Sequence, residues 1–242
     1  MRVSIISLLM LVCGQGLNEA EKLFQKMEKK LSTAKTLEVF VNGSMEFGER
    51  KMKYTGTILL GQDNKAYVKL SGDMIGKPFV NELVSDGSNT MSDEFLSPGG
   101  RPAFHRTGKK LRVNLIAVIT RGSCLGLNVA TKGTVSEKEG ELGPDQLFQV
   151  SDFKLGANEK LDGKDAQFVD YQLRAFRGRE PFSVKLWLDS TTGLPIKRVL
   201  KSAKEDGKLQ VIETYRVTLD PVIDGKKFKL PKEASPSLER KK

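Results

Sequence analysis

Apolar and polar residues alternate with a period of two along most of this chain, and that alternation limits the folds open to it. In one stretch Phe182, Val184, Leu186 and Leu188 alternate with Ser183, Lys185, Trp187 and Asp189. Successive side chains of a strand point to opposite faces, so the pattern predicts strands with one buried and one hydrated face. Turn signals such as Thr192-Gly193 and Asp224-Gly225 separate the runs. They predict antiparallel pairing, because parallel strands need crossover segments.

The number of these runs predicts a large sheet. About nine to eleven strands fit between residues 37 and 219. A sheet of this size accumulates twist and must curl or close. We therefore expect an α+β fold with a strongly curved antiparallel sheet, whose apolar concave face is at least partly vacant for a guest.

Two segments with helical patterns are available to cover that face. Apolar residues recur at spacings of three and four at Leu17, Ala20, Phe24, Met27, Leu31 and Ala34. This spacing predicts a long amphipathic N-terminal helix of about five turns. Residues 109–121 are apolar nearly all round, which is typical of a buried helix. A mobile lid over a cavity and an interfacial element are the alternatives for this helical insertion.

The first 16 residues have the plan of a secretory signal peptide. Arg2 precedes an apolar stretch of about ten residues, and small residues follow at Gly14 and Gly16. We expect an exported protein with this segment cleaved. The alternative is a protein that is lipid-anchored at Cys13. Residues 17–231 are then expected to form a single domain, and residues 232–242 a flexible tail. Cleavage would leave Cys124 without a disulfide partner, as a small buried hydrophobe.

The composition and motifs speak against nucleic-acid binding and against catalysis. The formal net charge is +10, but the lysines are spread along the predicted strands, and an aromatic-glycine motif for base stacking is absent. His105 is the single histidine and is expected in a loop. The sequence has no cluster of histidine, cysteine and carboxylate residues for a metal, and no nucleophile elbow or phosphate loop. We expect no catalytic residue, metal or cofactor, and no nucleic-acid partner.

Glu213 is an exception on its predicted strand, because it falls on the same face as Val211 and Tyr215. A buried acid needs a partner, and Arg174 and Arg198 are the candidates. A structural salt bridge and a polar anchor inside a ligand cavity are both consistent with this pattern. Arg174 and Glu213 are the polar anchor candidates.

Three stretches carry a resemblance to a known family. They are W-L-D-S-T-T-G-L-P-I-K-R at residues 187–198, E-T-Y at 213–215 and D-G-K-K-F-K-L-P at 224–231. With the order of the predicted elements, they resemble the LolA/LolB-like outer-membrane lipoprotein-sorting protein family. The resemblance implies an unclosed antiparallel β-barrel with helices over its mouth. It also implies a periplasmic carrier that holds the acyl chains of lipid or lipoprotein and ferries them across the periplasm.

The partners expected from this resemblance are lipid or lipoprotein acyl chains and sorting components of the inner or outer membrane. Transient contact with a membrane surface is also expected, and the chain is expected to be a monomer. Relatives on this fold include lipid-binding lipoproteins and an envelope-stress sensor domain, so the fold does not fix the function. An interaction or sensor module without cargo, its interior filled by its own side chains, is therefore the alternative.

The residues expected at the ligand come from periodicity and not from a family motif. Leu115, Ile116, Val118 and Ile119 are expected as lid or cavity wall in the helical insertion. On the strands, the expected cavity residues are Val39, Val41, Tyr54, Ile58, Leu186 and Val211. Together they predict an apolar site for acyl chains.

Overall fold

Eleven antiparallel strands form one sheet in the computed structural model, which describes residues 18–93, 102–127, 130, 141–178, 180–202 and 209–231. The strands are β1 (Leu37–Phe47), β2 (Arg50–Leu60), β3 (Lys65–Met74), β4 (Lys77–Asp86), β5 (Asn89–Ser92), β6 (Ala103–Arg106), β7 (Phe148–Leu161), β8 (Lys164–Ala175), β9 (Phe182–Asp189), β10 (Pro195–Ser202) and β11 (Leu209–Leu219). The predicted signal peptide, Cys13 and the predicted tail lie outside the described residues.

The strand order is β6-β5-β4-β3-β2-β1-β11-β10-β9-β8-β7. Neighbours in sequence are neighbours in the sheet, except where β1 pairs with β11 and so joins the two halves of the chain. This pairing runs without a break from Leu37 opposite Leu219 to Phe47 opposite Leu209. The sheet is an unclosed barrel with β6 and β7 at its edges, and the predicted fold class is confirmed.

The helices whose bounds lie within the described residues are α1 (Glu19–Thr33), α2 (Leu111–Thr120) and the single turn α3 (Pro144–Leu147). The side chain of Asn18 caps α1 by accepting a hydrogen bond from the Glu21 N–H at 2.9 Å. The backbone becomes extended at Ala34, so α1 is a turn shorter than predicted. Short 3-10 turns follow at Cys124–Gly126 and Gly225–Phe228.

One face of the sheet, called here the inner face, packs against α1 and α2. The helix α1 contributes its buried stripe Ala20, Phe24, Met27 and Leu31. Alternate residues of the strands join the same core, for example Leu37, Val39 and Val41 of β1 and Val68 and Leu70 of β3. Both helical segments therefore lie on the apolar side of the sheet, as the period-two pattern indicated.

Strands β8 and β6 each show one detail that the sequence pattern does not predict. The residues of β8 that join the core on the inner face are Val169, Tyr171 and Leu173. Phe168 lies on the opposite, outer face, where it packs near Trp187 at a centroid distance of 6.0 Å. His105 lies in strand β6 and not in a loop, because a four-residue strand carries too little periodicity to be recognised.

The edge strand β7 is irregular. Its pairing with β8 shifts register between Ser151 and Lys154, and again between Leu155 and Asn158. Asp152, inside the first shift, has a left-handed backbone with φ of 57°. These β-bulges give β7 a bent backbone.

Candidate functional site

A buried carboxyl group lies at the centre of the inner face, on β11. Glu213 is opposite Gly43 of β1, and Gly43 is opposite Tyr54 of β2. Because Gly43 has no side chain, the Tyr54 ring passes over it. A Cβ atom at position 43 would lie 2.3 Å from Cζ of that ring. Tyr54 thereby reaches across a whole strand to Glu213.

The Glu213 carboxylate is surrounded by donors. The Tyr54 hydroxyl donates to its Oε1 at 2.6 Å, and the backbone N–H of Cys124 donates to the same atom at 2.8 Å. The Tyr215 hydroxyl donates to Oε2, and the Arg198 guanidinium lies 3.6 Å from Oε2. Arg198 and Glu213 are each 1% exposed, so this pair meets the requirement that a buried charge be partnered.

Arg198 also binds the end of α2. The last carbonyl groups of an α-helix have no partner inside the helix. The Arg198 guanidinium donates to the carbonyl oxygens of Val118 at 3.3 Å and Ile119 at 2.5 Å, and to that of Gly122. The Tyr171 hydroxyl lies 3.3 Å from the Thr120 carbonyl oxygen. The sheet thus supplies the partners that the end of α2 lacks.

A second arginine fastens the beginning of α2. Arg112 donates through Nε to the carbonyl oxygen of Gly61 at 3.0 Å, and through Nη2 to that of Ala34 at 2.6 Å. It also donates to the Ser32 carbonyl oxygen at 3.2 Å. Its backbone N–H donates to the side chain of Asn64 at 3.1 Å. This end of α2 is therefore attached to the end of α1 and to the β2–β3 turn.

An ion-pair cluster connects α2 to α1 and α3. Arg121, directly after α2, lies 2.7 Å from the Glu28 carboxylate of α1 and 2.5 Å from the Asp145 carboxylate of α3. The Thr120 hydroxyl donates to the same Glu28 at 2.9 Å. Polar contacts at both ends of α2 thus surround a middle that makes apolar contacts.

The burial of this network changes the pKa of its members. Burial, and next the charge of Glu213, raise the pKa of Tyr54 well above its ordinary value. The pKa of Tyr215 is also raised well above its ordinary value, first by burial and then by Glu213, against the opposing effect of Arg198. Burial raises the pKa of the Cys124 thiol, so the thiol stays protonated at neutral pH. The phenol groups of Tyr54 and Tyr215 therefore stay protonated and donate hydrogen bonds to the Glu213 carboxylate.

The residues predicted at the ligand are all part of the closed core. Those of α2 are Leu115, Ile116, Val118 and Ile119, and those of the strands are Val39, Val41, Tyr54, Ile58, Leu186 and Val211; all are at most 4% exposed. The structure brings them together in one core cluster on the inner face, to which α2 contributes its buried residues. The expected vacancy of that face is therefore corrected: α1, α2 and native side chains fill it.

The polar anchor candidates are placed differently from each other. Glu213 lies inside, with Arg198 as its charged partner. Arg174 is exposed on β8 and lies opposite Gln149 of the edge strand. Arg198, the other candidate, is therefore the charged partner of Glu213. Sequence reasoning missed Gly43, Arg112 and Arg121, since a glycine or an arginine in a strand or helix gives no local sign of a distant partner.

Surface depressions lie outside this core. One of about 520 Å³ opens on the outer face of β1, β2, β3 and β11, beside Phe40 and Arg216. Another of about 540 Å³ lies on the outer face of β7 to β10, beside Lys185 and Trp187. A third, of about 240 Å³, lies between α1 and the β9–β10 turn.

The described part of the chain contains no group of three or more histidine, cysteine, aspartate or glutamate residues positioned to hold a metal ion. Among the helices in the described ranges, none has the length and apolar character needed to cross a membrane.

Comparisons with known proteins found similar solved structures. No protein-family model matches the chain, and no curated protein matches its sequence. LprF from Mycobacterium bovis is 11% identical with a TM-score of 0.47, and the match covers 85% of this chain and 95% of that one. MucB in a MucA/MucB complex from Pseudomonas aeruginosa is 13% identical with a TM-score of 0.45, covering 85% of this chain and 59% of that one. A LolA superfamily protein from Nitrosomonas europaea is 11% identical with a TM-score of 0.39, covering 88% and 99%.

Proposed function

We propose that this chain, which has a LolA/LolB-like fold, is an exported periplasmic binder or carrier of lipid or acylated lipoprotein. Acyl chains lie against the inner face in the bound state, in the place that α2 occupies in the structure described here. The protein performs no chemistry on them. Sorting components of the inner or outer membrane are its proposed partners, with transient contact at the membrane surface.

The observation that carries this proposal is the position of α2. Eight of its ten residues are buried, and they include Leu115, Ile116, Val118 and Ile119. Burial of apolar surface contributes about 25 cal/mol per Å², so displacing α2 without replacement is costly. An acyl chain that takes its place restores the lost apolar contacts. A ligand that binds the displaced form more tightly than the closed form shifts the population toward it.

Polar contacts at both ends of α2 oppose its displacement. At the end of the helix, Arg198 must release the carbonyl groups of Val118, Ile119 and Gly122. Arg198 keeps Glu213 as a partner when α2 leaves, so the buried charge does not become unpaired. At Thr120 the opening must also break the contacts of Arg121 with Glu28 and Asp145, and at the other end it must break those of Arg112 with Gly61 and Ala34.

Amide hydrogen exchange, measured with and without the neutral apolar dye N-phenylnaphthylamine, tests the proposal. The full chain is expected to bind the dye, and the amides of α2 are expected to lose protection while those of β1 keep theirs. The variant Arg198→Met with Glu213→Gln should accept the dye faster, because the end of α2 is released. Arg216→Met, an exposed arginine on the outer face of β11, is the matched control and should leave the rate unchanged. Absence of dye and lipid binding, with native mass spectrometry of gently purified protein showing no bound lipid, would overturn the proposal.

The closed interior favours a second candidate function. The predicted cavity positions are filled by the chain's own side chains, which suits an interaction or sensor module in the cell envelope. In such a module the amides of α2 would stay protected from hydrogen exchange at saturating lipid concentration. The exchange experiment therefore separates the two functions.

A further inference from the structure

The pocket between α1 and the β9–β10 turn connects the surface to the apolar interior. Its volume is about 240 Å³, and its lining includes Leu23, Met27 and Leu188. Met27 and Leu188 belong to the core that α2 shares. The floor of this pocket is therefore part of the surface against which an acyl chain would lie.

Two positive charges line the entrance of the same pocket. Lys26 and Lys30 are exposed and four residues apart in α1, so they lie on one side of the helix. The Lys30 ammonium group crosses to the turn and donates to the Thr192 carbonyl oxygen at 2.6 Å. An ammonium group has three donors, so donors remain for a ligand.

The acidic side chain at this pocket is occupied by the turn. The Asp189 carboxylate accepts hydrogen bonds from the Thr191 N–H at 3.0 Å and the Thr192 N–H at 2.7 Å. The Thr192 backbone bond is the main reason why the pKa of Asp189 lies below its ordinary value. With two lysines against this one aspartate in the lining, the pocket has a net positive charge.

We propose that this pocket binds the anionic head group, a carboxylate or a phosphate, of an acylated ligand. This proposal rests on the proposed function, since the acyl chain continues from the pocket into the place of α2. The pocket is smaller than the roughly 300–1,000 Å³ that a whole ligand usually requires, and so it suits a head group. Ammonium groups form charge-assisted hydrogen bonds with carboxylate and phosphate oxygens, while the apolar floor takes the first methylene groups.

Binding of cis-parinaric acid and of its methyl ester tests this head-group pocket, because the two fluorescent probes share one chain and differ in charge. The variant Lys26→Gln with Lys30→Gln removes both ammonium groups from the entrance. Lys22→Gln with Lys29→Gln removes the same charge from exposed positions of α1 outside the pocket lining. The Kd of the acid is expected to rise about three- to tenfold in the pocket variant at low ionic strength. The Kd of the ester should not change, and the control variant should match the unmodified chain.

The outcomes distinguish this proposal from the one on which it rests. If the ester binds but the acid has the same affinity in the pocket and control variants, the head-group pocket is wrong and the carrier function stands. If neither probe binds the unmodified chain, both proposals fail. Displacement of the acid by lysophosphatidic acid but not by inorganic phosphate supports the proposal. Complete displacement by inorganic phosphate would instead indicate a free-phosphate site and overturn it.

Discussion

Glycine at position 43 decides whether Tyr54 can reach Glu213. The three residues are in register on β2, β1 and β11, and the Tyr54 ring uses the space above Gly43. Tyrosine and glutamate so far apart in sequence can share a hydrogen bond because the strand between them has no side chain at that point. A single missing Cβ atom thus permits the polar centre of the inner face.

The substitution Gly43→Ala is expected to destabilise the protein by about 1–3 kcal/mol, the usual cost of overpacking a filled core. The new Cβ atom would lie 2.6 Å from the Tyr54 hydroxyl oxygen, so the ring must move away from Glu213. Chemical denaturation measures the change. Gly225→Ala is the control, because its Cβ atom would meet nothing within 4 Å. Equal stability of the two variants would contradict this account.

The ion pair inside the core predicts an asymmetric mutant series. Arg198→Met leaves the Glu213 charge buried without its partner, and we expect a loss of about 3–5 kcal/mol in the free energy of unfolding. Arg198→Met combined with Glu213→Leu removes both charges and should cost less than the single substitution. Urea unfolding of both variants checks this order, with Arg216→Met on the outer face as the control. A double variant less stable than the single one would show that Glu213 is stabilised mainly by its tyrosines.

At the scale of elements, the sequence predicted what depends on local periodicity. The period of two located the long strands, and the apolar residues 109–121 predicted α2, because a buried element shows its surroundings in its composition. The four-residue strands β5 and β6 were missed, since so short a run has no clear period. The partner of Glu213 stayed undecided between Arg174 and Arg198, because strand order and bulges, not spacing, bring two charges together.

Asn18 links α1 to the sheet, and its two functions can be separated. Its side-chain oxygen caps the helix, while its Nδ2 donates to the Phe153 carbonyl oxygen of β7 at 3.0 Å. Asn18→Ala removes both contacts and should cost about 1 kcal/mol or more. Asn18→Asp keeps the cap and loses the donor, so thermal unfolding should place it between the original protein and the alanine variant. An aspartate variant as unstable as the alanine variant would assign the effect to the Phe153 contact.

For the whole molecule, the filled interior could not be read from the sequence. Period two shows that a face is apolar, but not whether a ligand or the chain itself covers it. The answer depends on where α2 packs, and that in turn depends on Arg112, Arg121 and Arg198, whose partners are distant in sequence. The sequence therefore predicted which residues form the inner face, but not whether the chain's own side chains or a ligand cover it.

The raised pKa values of all four tyrosines predict how the stability of the protein changes at alkaline pH. Burial is the largest cause of the raised pKa at each one; it brings the pKa of Tyr67 and Tyr171 to about 12 and holds those of Tyr54 and Tyr215 well above the ordinary value. The unfolded chain therefore releases these protons first, near pH ~10. Stability is present in full below that pH and is lost as the pH rises above it.

Ultraviolet titration of the phenolate groups measures this effect. The folded protein should show little phenolate absorbance near pH ~10, whereas the chain in denaturant should titrate there with all its tyrosines. Unfolding midpoints measured over the same pH range should fall as the pH increases. A folded protein whose tyrosines titrate like those of the denatured chain would contradict their burial.

The two bulges of β7 have a consequence for how copies of this chain meet each other. An open sheet offers the unpaired amides of its outermost strands to neighbouring molecules, and such edges are starting points for polymers. Here one border is a strand of four residues, Ala103–Arg106, and the other is bent by the left-handed Asp152. Neither gives a second molecule a long, straight row of amides to extend, so we expect the protein to leave its barrel open and still resist fibre formation at high concentration.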